Sequence, residues 1–275
     1  MPKNKSFLQP PLAFSGNKRF WAGELADEAL LLPAGARVWD VFGGSGVCAR
    51  VIKDARPDCE VVWNDHDGYS DRLLHAAETE DLRRSLIRMC GYEGCRNDGT
   101  RFRAPIKGAL RDEVCALFRS HYEKYGYFDG LTVRRWLSIG ACKAPIDPYK
   151  PPADLYARVP RAQLRVDQAL SWCDGLIVVH KDFLDLEIKP GDFVILDPPY
   201  VGSCVDEYGG RETLQILRGC RDLMEICPFI LFGDASISFW YEVLTEKYNP
   251  RFFQKDGLIS GYNGKSRSEV MFSTW

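Results

Sequence analysis

Arg37-Val38-Trp39-Asp40-Val41-Phe42-Gly43-Gly44-Ser45-Gly46 is the stretch that decides the fold. Residues 37–42 are a short, mostly apolar run and read as a buried strand. The glycines make a tight turn into a helical stretch over 47–54, which Pro57 ends. Residues 60–63 read as a second strand ending at Asn64-Asp65. Residues 69–90 then look helical, with Leu73, Leu74, Ala77, Leu82, Leu86 and Met89 roughly on one face. Strand, glycine turn, helix, strand is the opening of a nucleotide-type α/β fold.

The alternation resumes late in the chain. Residues 175–179 read as a strand followed by Asp182-Phe183, and 192–196 as a strand running into Asp197-Pro198-Pro199-Tyr200. A helix is expected near 211–225, with strands at 228–232 and 269–272. Between the two halves, residues 91–165 hold Gly, Pro and Arg, two short strand-like pieces and a Pro-rich tract at 144–153. The expected division is a discontinuous core, 1–82 with 166–275, and an inserted subdomain over 83–165.

Composition bounds the function. The 275 residues are 45% hydrophobic and 27% charged, enough to bury a large core and to exclude collagen-like and disordered classes. No apolar run is long enough to span a membrane, and Met1-Pro2-Lys3-Asn4-Lys5 leads into no apolar signal segment, so neither a membrane nor secretion is expected. Ten scattered cysteines read as reduced, mostly buried thiols in a cytoplasm. Cys90-x4-Cys95 with Cys115-x5-His121 is looser than the paired Cys-x2-Cys of a zinc ribbon, so no metal site is expected. The net charge is −2, but residues 83–165 carry 17 Lys/Arg against 8 Asp/Glu, a net of +9, which leaves −11 on the rest. A basic block on an acidic body is a footprint for a polyanion, or else a solvated loop-rich insertion.

Asp197-Pro198-Pro199-Tyr200 carries the sharpest chemistry. An apolar strand ending in two prolines places a carboxylate and a rigid carbonyl in the crevice beyond the sheet's carboxyl edge. Together they can accept both hydrogens of an exocyclic amino group, and the next aromatic can stack on the ring that bears it. The tetrapeptide could also be an ordinary turn, since Asp-Pro is common in turns.

With Phe14-Ser15-Gly16-Asn17-Lys18 at one end, the glycine loop next and Asp197–Tyr200 beyond a basic insertion, the chain resembles the S-adenosylmethionine-dependent DNA adenine-N6 methyltransferases of the Dam type, in the alpha order of motifs. The resemblance implies a Rossmann-like α/β core with a mixed, mostly parallel sheet and an inserted target-recognition subdomain. It implies S-adenosyl-L-methionine as cofactor and double-stranded DNA as partner, in a prokaryotic or phage-encoded protein acting in the cytoplasm. Asp197, Pro198, Pro199 and Tyr200 would act on the target adenine. Phe14, Gly16, Lys18, Asp40, Phe42, Gly43, Gly44, Ser45 and Gly46 would form the cofactor pocket, with Asp65 on the ribose and Asp182-Phe183 on the cofactor's adenine. In the insertion, Arg96, Arg101 and Arg103 lie in a segment that loosely echoes a family stretch rich in Asn, Gly, Phe and Pro. Arg134-Arg135-Trp136 is a candidate base-reading element, since Arg pairs with guanine and Trp can fill a gap. Equally, it reads as a helix turn with Trp136 in a local core.

Several alternatives stay open. Gly44-Ser45-Gly46-Val47-Cys48-Ala49 also fits Gly-x-Gly-x-x-Ala, with Asp65 19 residues past Gly46, as in a dinucleotide oxidoreductase. Asp40 argues against that reading, because a carboxylate there suits a cationic sulfonium better than a pyrophosphate. The loop lacks Gly-Lys-Ser/Thr, so it is no P-loop. Asp65 could simply cap the next helix, and Lys18 could be solvated. The substrate could be RNA or another amine, and a non-catalytic DNA-binding protein could share the fold. The recognition sequence and biological role are not legible, nor is the oligomeric state, for which a monomer is the preferred reading.

Overall fold

The computed structural model describes residues 8–14, 16, 18–90, 105–138, 144–156, 163–199, 210–234, 246–260 and 266–275. They divide into two compact units, one holding Gly16–Tyr69 and Cys173–Trp275, the other Pro10–Ser15 and Ser70–Trp172.

The first unit is a seven-stranded sheet. Its strands are β1 (Arg37–Asp40), β2 (Glu60–Asn64), β3 (Leu176–Val179), β4 (Phe193–Leu196), β5 (Phe229–Asp234), β6 (Arg251–Ser260) and β7 (Ser266–Ser273), in the order β3-β2-β1-β4-β5-β7-β6. The first five pair in parallel, and β7 runs antiparallel to both β5 and β6. This is the doubly wound order 3-2-1-4-5-6 with one reversed strand inserted between the fifth and sixth. It is the Rossmann-like α/β fold that the strand–glycine–helix opening predicts.

Side-chain alternation builds the core on both faces of the sheet. Trp39, Val41, Val62, Val194 and Leu196 pack with Cys220 and Met224 of α8 (Gly210–Ile226). The intervening residues, Val38, Asp40 and Ile195, point to the other face, where the Asp40 carboxylate meets the amide of Ala49 in α2 (Val47–Ala55). Helix α1 (Ala22–Ala29) packs beside α2. At the carboxyl edge, buried Asn64 joins three strand ends. Its Nδ2 donates to the Val41 and Lys181 carbonyls at 3.0 and 3.1 Å, and its Oδ1 accepts from the Lys181 amide at 3.1 Å.

Residues 69–90 are two helices, α3 (Tyr69–Leu74) and α4 (Ala76–Met89). Within the second unit, α4 packs with α5 (Gly108–Tyr125), α6 (Gly130–Leu137) and α7 (Val166–Leu170). Leu82, Leu86, Val114, Phe118, Val133, Trp136 and Leu137 form its core. The sequence puts α4 on both sides of a boundary at 82/83; the packing of α4 places it wholly in this unit.

Helices α5 and α6 lie within 91–165, a stretch that reads in the sequence as irregular with two short strand-like pieces. The helical signal was present: Leu110, Val114, Leu117, Phe118 and His121 recur at three- and four-residue spacing. Gly126, with φ 65°, ends α5 by donating its amide to the Tyr122 carbonyl at 2.7 Å. Asp129 caps α6 by accepting from the Thr132 amide at 2.9 Å. The same carboxylate pairs with buried Arg72, which also donates to Thr132 Oγ1 and the Ala13 carbonyl. Strand β6 is likewise absent from the sequence-based expectation. Its Phe252-Phe253-Gln254-Lys255-Asp256 gave no continuous apolar run, and the strand pairs antiparallel with β7.

Among the described residues no helix is long and apolar enough to cross a membrane. The seven described cysteines are free thiols.

Phe118→Ala should destabilise the protein by about 3–5 kcal/mol in urea unfolding, because it empties the centre of the helical core. Exposed Arg119→Ala, one residue on, should change stability by less than about 0.5 kcal/mol. Equal effects would mean that α5 does not present this face inward.

Candidate active site

The carboxyl ends of β1 and β4 adjoin where the strand order reverses, and this switch point is where doubly wound sheets open a ligand crevice. β1 delivers Asp40 and the glycine loop there, and β4 delivers Asp197-Pro198-Pro199. Tyr200 lies outside the described residues.

The glycine loop is shaped by close approach. A Cβ on Gly43 would stand 2.1 Å from Trp63 Cδ1, so only glycine fits. Gly44 and Gly46 take left-handed φ values of 47° and 69°. The Gly43 amide donates to the Asn64 carbonyl, and the Gly46 amide returns to the Gly43 carbonyl at 2.7 Å, closing the turn on which α2 begins. Ser45 is buried within it. Trp63 Nε1, fully buried beneath the loop, has no hydrogen-bond partner among the described residues.

Asp40 is buried and accepts from the Ala49 amide at 3.1 Å. Burial, the largest cause, pushes its carboxyl up to about 7, and the charge of Asp197 adds to the rise. The Ala49 amide and Lys18 oppose it. Burial and the same carboxylates also push up the thiol of neighbouring Cys48.

Lys18 is the cation of the crevice. Only 4% exposed, its ammonium pairs directly with Asp197 Oδ2, lies 3.4 Å from Glu269 Oε1 and donates to the Gly16 carbonyl at 3.1 Å. The Phe232 ring sits 5.2 Å from it. Burial works against the ammonium, but Asp197 and Glu269 outweigh burial and hold Lys18 charged above the usual lysine range. Lys18 is therefore not solvated. Asp197 is 17% exposed, Pro198 is buried and Pro199 half-buried.

The remaining candidates occupy the neighbouring strand ends. Asp65, after β2, is fully buried, and its Oδ1 accepts from the Tyr69 amide at 2.8 Å, a cap on α3. Its backbone carbonyl is 2.7 Å from His180 Nδ1. Asp182, after β3, is exposed and fixes the turn ahead of it through the Leu184 amide. Phe183 and Phe42 pack ring to ring at 5.2 Å. Phe14 belongs to the second unit, where Arg72 holds the preceding carbonyl of Ala13.

In the second unit, Trp136 is 4% exposed and lies in the helical core, so it is not available to fill a gap in a duplex. Arg135 is exposed on α6 and Arg134 half-buried. Arg96, Arg101, Arg103 and Cys95 lie outside the described residues. His121 is buried against Tyr125 and Phe128, and burial lowers its pKa. Among the described residues no three His, Cys, Asp or Glu side chains gather as a metal set.

Glu269 was not singled out in the sequence, where it reads as the start of a strand. Its signal was slight: a lone acid leading into Val270-Met271-Phe272. Trp21 and Asn64 were missed for the same reason, since neither type announces a site by itself.

No family model matches the chain. Over 257 residues it is 27% identical to a protein of Haemophilus influenzae described as "Putative methyltransferase", a match that covers 87% of this chain and 80% of that protein. This distant similarity supports methyl transfer in general and names no acceptor.

Because its carboxyl is raised in the folded state, Asp40 contributes stability that is present below the ordinary carboxylate range and lost as pH rises to about 7. Asp40→Asn keeps an acceptor for the Ala49 amide without that loss. In thermal unfolding of the cofactor-free protein, the melting temperature of the variant relative to the parent should be higher at about pH 8 than at about pH 5. An identical difference at both pH values would mean that Asp40 is ionised throughout.

Proposed function

We propose that this protein is an S-adenosylmethionine-dependent DNA methyltransferase that acts on the N6 amino group of an adenine flipped out of double-stranded DNA. The observation that carries the reading is Asp197-Pro198-Pro199 standing at the end of β4, next to a glycine loop at the end of β1. The 27% similarity to a methyltransferase supports the transfer of a methyl group in general.

The residues around the loop fit the cofactor. Gly43 lets the loop backbone lie directly on Trp63, where any Cβ would clash, and the buried Trp63 N–H has no hydrogen-bond partner among the described residues. Asp40, Asp197 and Glu269 make the crevice acidic, which suits a cationic sulfonium and repels the pyrophosphate of a dinucleotide. By the family resemblance Asp65 and Asp182 serve the ribose and the cofactor's adenine amine; exposed Asp182 has Oδ1 fixed by the Leu184 amide, while Asp65 is fully buried and holds the Tyr69 amide. S-adenosylmethionine, when bound, supplies an electrophilic methyl carbon whose bonding pair stays with sulfur.

The protein's own part is positioning and electrostatics. An adenine N6 lone pair is delocalised into the ring. Hydrogen bonds from that amine to the Asp197 carboxylate and the Pro198 carbonyl pyramidalise the nitrogen and expose the lone pair. No base is needed before attack, and Asp197 is an acceptor for the proton that leaves afterwards. Tyr200 stacks on the target base, by the family resemblance. The base cannot reach this crevice inside a duplex and flips out at a cost of a few kcal/mol. Phosphates are held by the basic stretch 83–165, in which Arg134 and Arg135 are contact residues on α6.

Incubation with S-adenosylmethionine and plasmid, followed by sequencing for modified bases, should give N6-methyladenine at a defined sequence. Methylation of RNA alone, or none, would refute the DNA reading. Asp197→Asn should lower methylation by at least about a hundredfold, with cofactor affinity by calorimetry changed by no more than a few-fold. A variant as active as the parent removes Asp197 from the chemistry.

Arg134→Glu with Arg135→Glu should weaken duplex binding and flatten its dependence on log salt by about 0.9 for each phosphate no longer neutralised. Cofactor affinity should not move, because the glycine loop and its acids belong to the other unit. An unchanged salt slope would mean that these arginines do not touch phosphate.

A further inference from the structure

The reversed strand β7 brings Glu269 to the carboxyl edge, opposite Asp234 at the end of β5. There it meets Lys18, which the glycine-containing N-terminal segment delivers from the far end of the chain. We propose that Glu269 is a positioning residue for methyl transfer: it shares the ammonium of Lys18 with Asp197, so that the Asp197–Lys18–Glu269 group keeps a net negative charge beside the acceptor nitrogen. This rests on the methyl-transfer reading above.

The geometry holds each member separately. Glu269 Oε2 accepts from the indole N–H of Trp21, while Oε1 is the oxygen 3.4 Å from the Lys18 ammonium. Trp21 is fully buried, edge-on to Phe232 at 5.7 Å, and the Lys255 ammonium lies 4.7 Å from its ring. Lys255 is itself paired with Glu24 at 2.6 Å. The Glu269 carboxylate is thus anchored from the side away from Lys18. Lys18 is anchored by the Gly16 carbonyl and rests against Phe232, so its ammonium cannot follow one carboxylate and abandon the other without breaking that hydrogen bond and leaving the ring.

The charge count gives the arrangement its consequence. Two carboxylates and one ammonium sum to −1, whereas Lys18 and Asp197 alone would be a neutral pair. In a buried site such a difference is weakly screened. Among the described residues, the titratable groups facing it include Asp40, held partly neutral by burial, the thiol of Cys48, pushed up by burial, and Asp234 across the β5–β7 ladder. During the transfer the nitrogen–carbon bond forms and the carbon–sulfur bond breaks with its pair going to sulfur. Positive charge therefore moves from sulfur onto nitrogen until nitrogen passes a proton to the Asp197 carboxylate. A net negative group beside that nitrogen stabilises the transition state more than the bound ground state, so its loss appears in the rate of the bound complex and not in binding.

The test is single-turnover methylation of plasmid duplex at saturating S-adenosylmethionine, with cofactor affinity and melting temperature measured on the same preparations. Glu269→Gln should slow the step roughly tenfold or more, less than the loss of a directly contacting group. Its cofactor affinity should stay within a few-fold, and Glu269→Asp, which keeps the charge, should recover most of the rate. If Glu269→Gln does not fold, Trp21→Phe releases the second oxygen of Glu269 beneath a similar ring, and a smaller slowing is expected with affinity retained. A folded Glu269→Gln protein that methylates at the parental rate overturns the proposal and leaves the proposed function standing. So does a rate loss matched by an equal loss of cofactor affinity, or one that Glu269→Asp fails to relieve. A parent that neither binds the cofactor nor methylates duplex overturns the functional reading, and this proposal with it.

Discussion

An ammonium buried at the carboxyl edge of a parallel sheet is costly unless its charge is answered on the spot. Lys18 is answered twice, by Asp197 from β4 and by Glu269 from β7. That one cation therefore ties together the N-terminal segment, the strand at the switch point and the reversed strand. Removing either carboxylate leaves Lys18 with a single counter-ion in a place water scarcely reaches. Glu269 is held in turn by Trp21, so the indole that fills the core beneath also orients the acid above. Packing and electrostatics are not separable here.

The glycine loop obeys a second constraint, which is space. Trp63 rises from β2 directly under Gly43, and the Asn64 carbonyl takes the Gly43 amide. The loop is pressed onto the sheet. Asn64 fastens the ends of β1 and β2 and the turn after β3 by three hydrogen bonds, so the acids at those ends stand on a rigid edge. Rigid support of this kind is what lets a site work by positioning. In the second unit, Arg72 and Asp129 play the comparable part, joining the cap of α6 to the carbonyl of Ala13.

Much of the core was legible in the residues alone, because its signals are local. Positive φ at Gly44 and Gly46 demands glycine whatever surrounds it. Strands buried on both faces are apolar in their interior, as the middles of β1, β2 and β5 and the whole of β4 are. The helices α5 and α6 were legible in principle and were passed over. Glycines, prolines and arginines dominated a stretch whose apolar residues nevertheless keep helical spacing.

The sequence by itself determined the Rossmann-like α/β core, the acids Asp40, Asp65 and Asp197 at its strand ends and the basic stretch beside them in the chain. Each follows from short patterns or from counting charge. Only the tertiary structure decided which charges meet. Trp21 and Glu269 are 248 residues apart in the chain, and Lys18 and Asp197 stand on opposite sides of the insertion. Nothing local marks them as partners until β7 turns back between β5 and β6. Burial was decided in the same way: Trp136 could have faced DNA or the core, and the packing of α4, α5 and α6 put it inside. A side chain's periodicity says which neighbours it has along its own helix or strand. What lies across from it is set by the register and packing of elements far away in the chain.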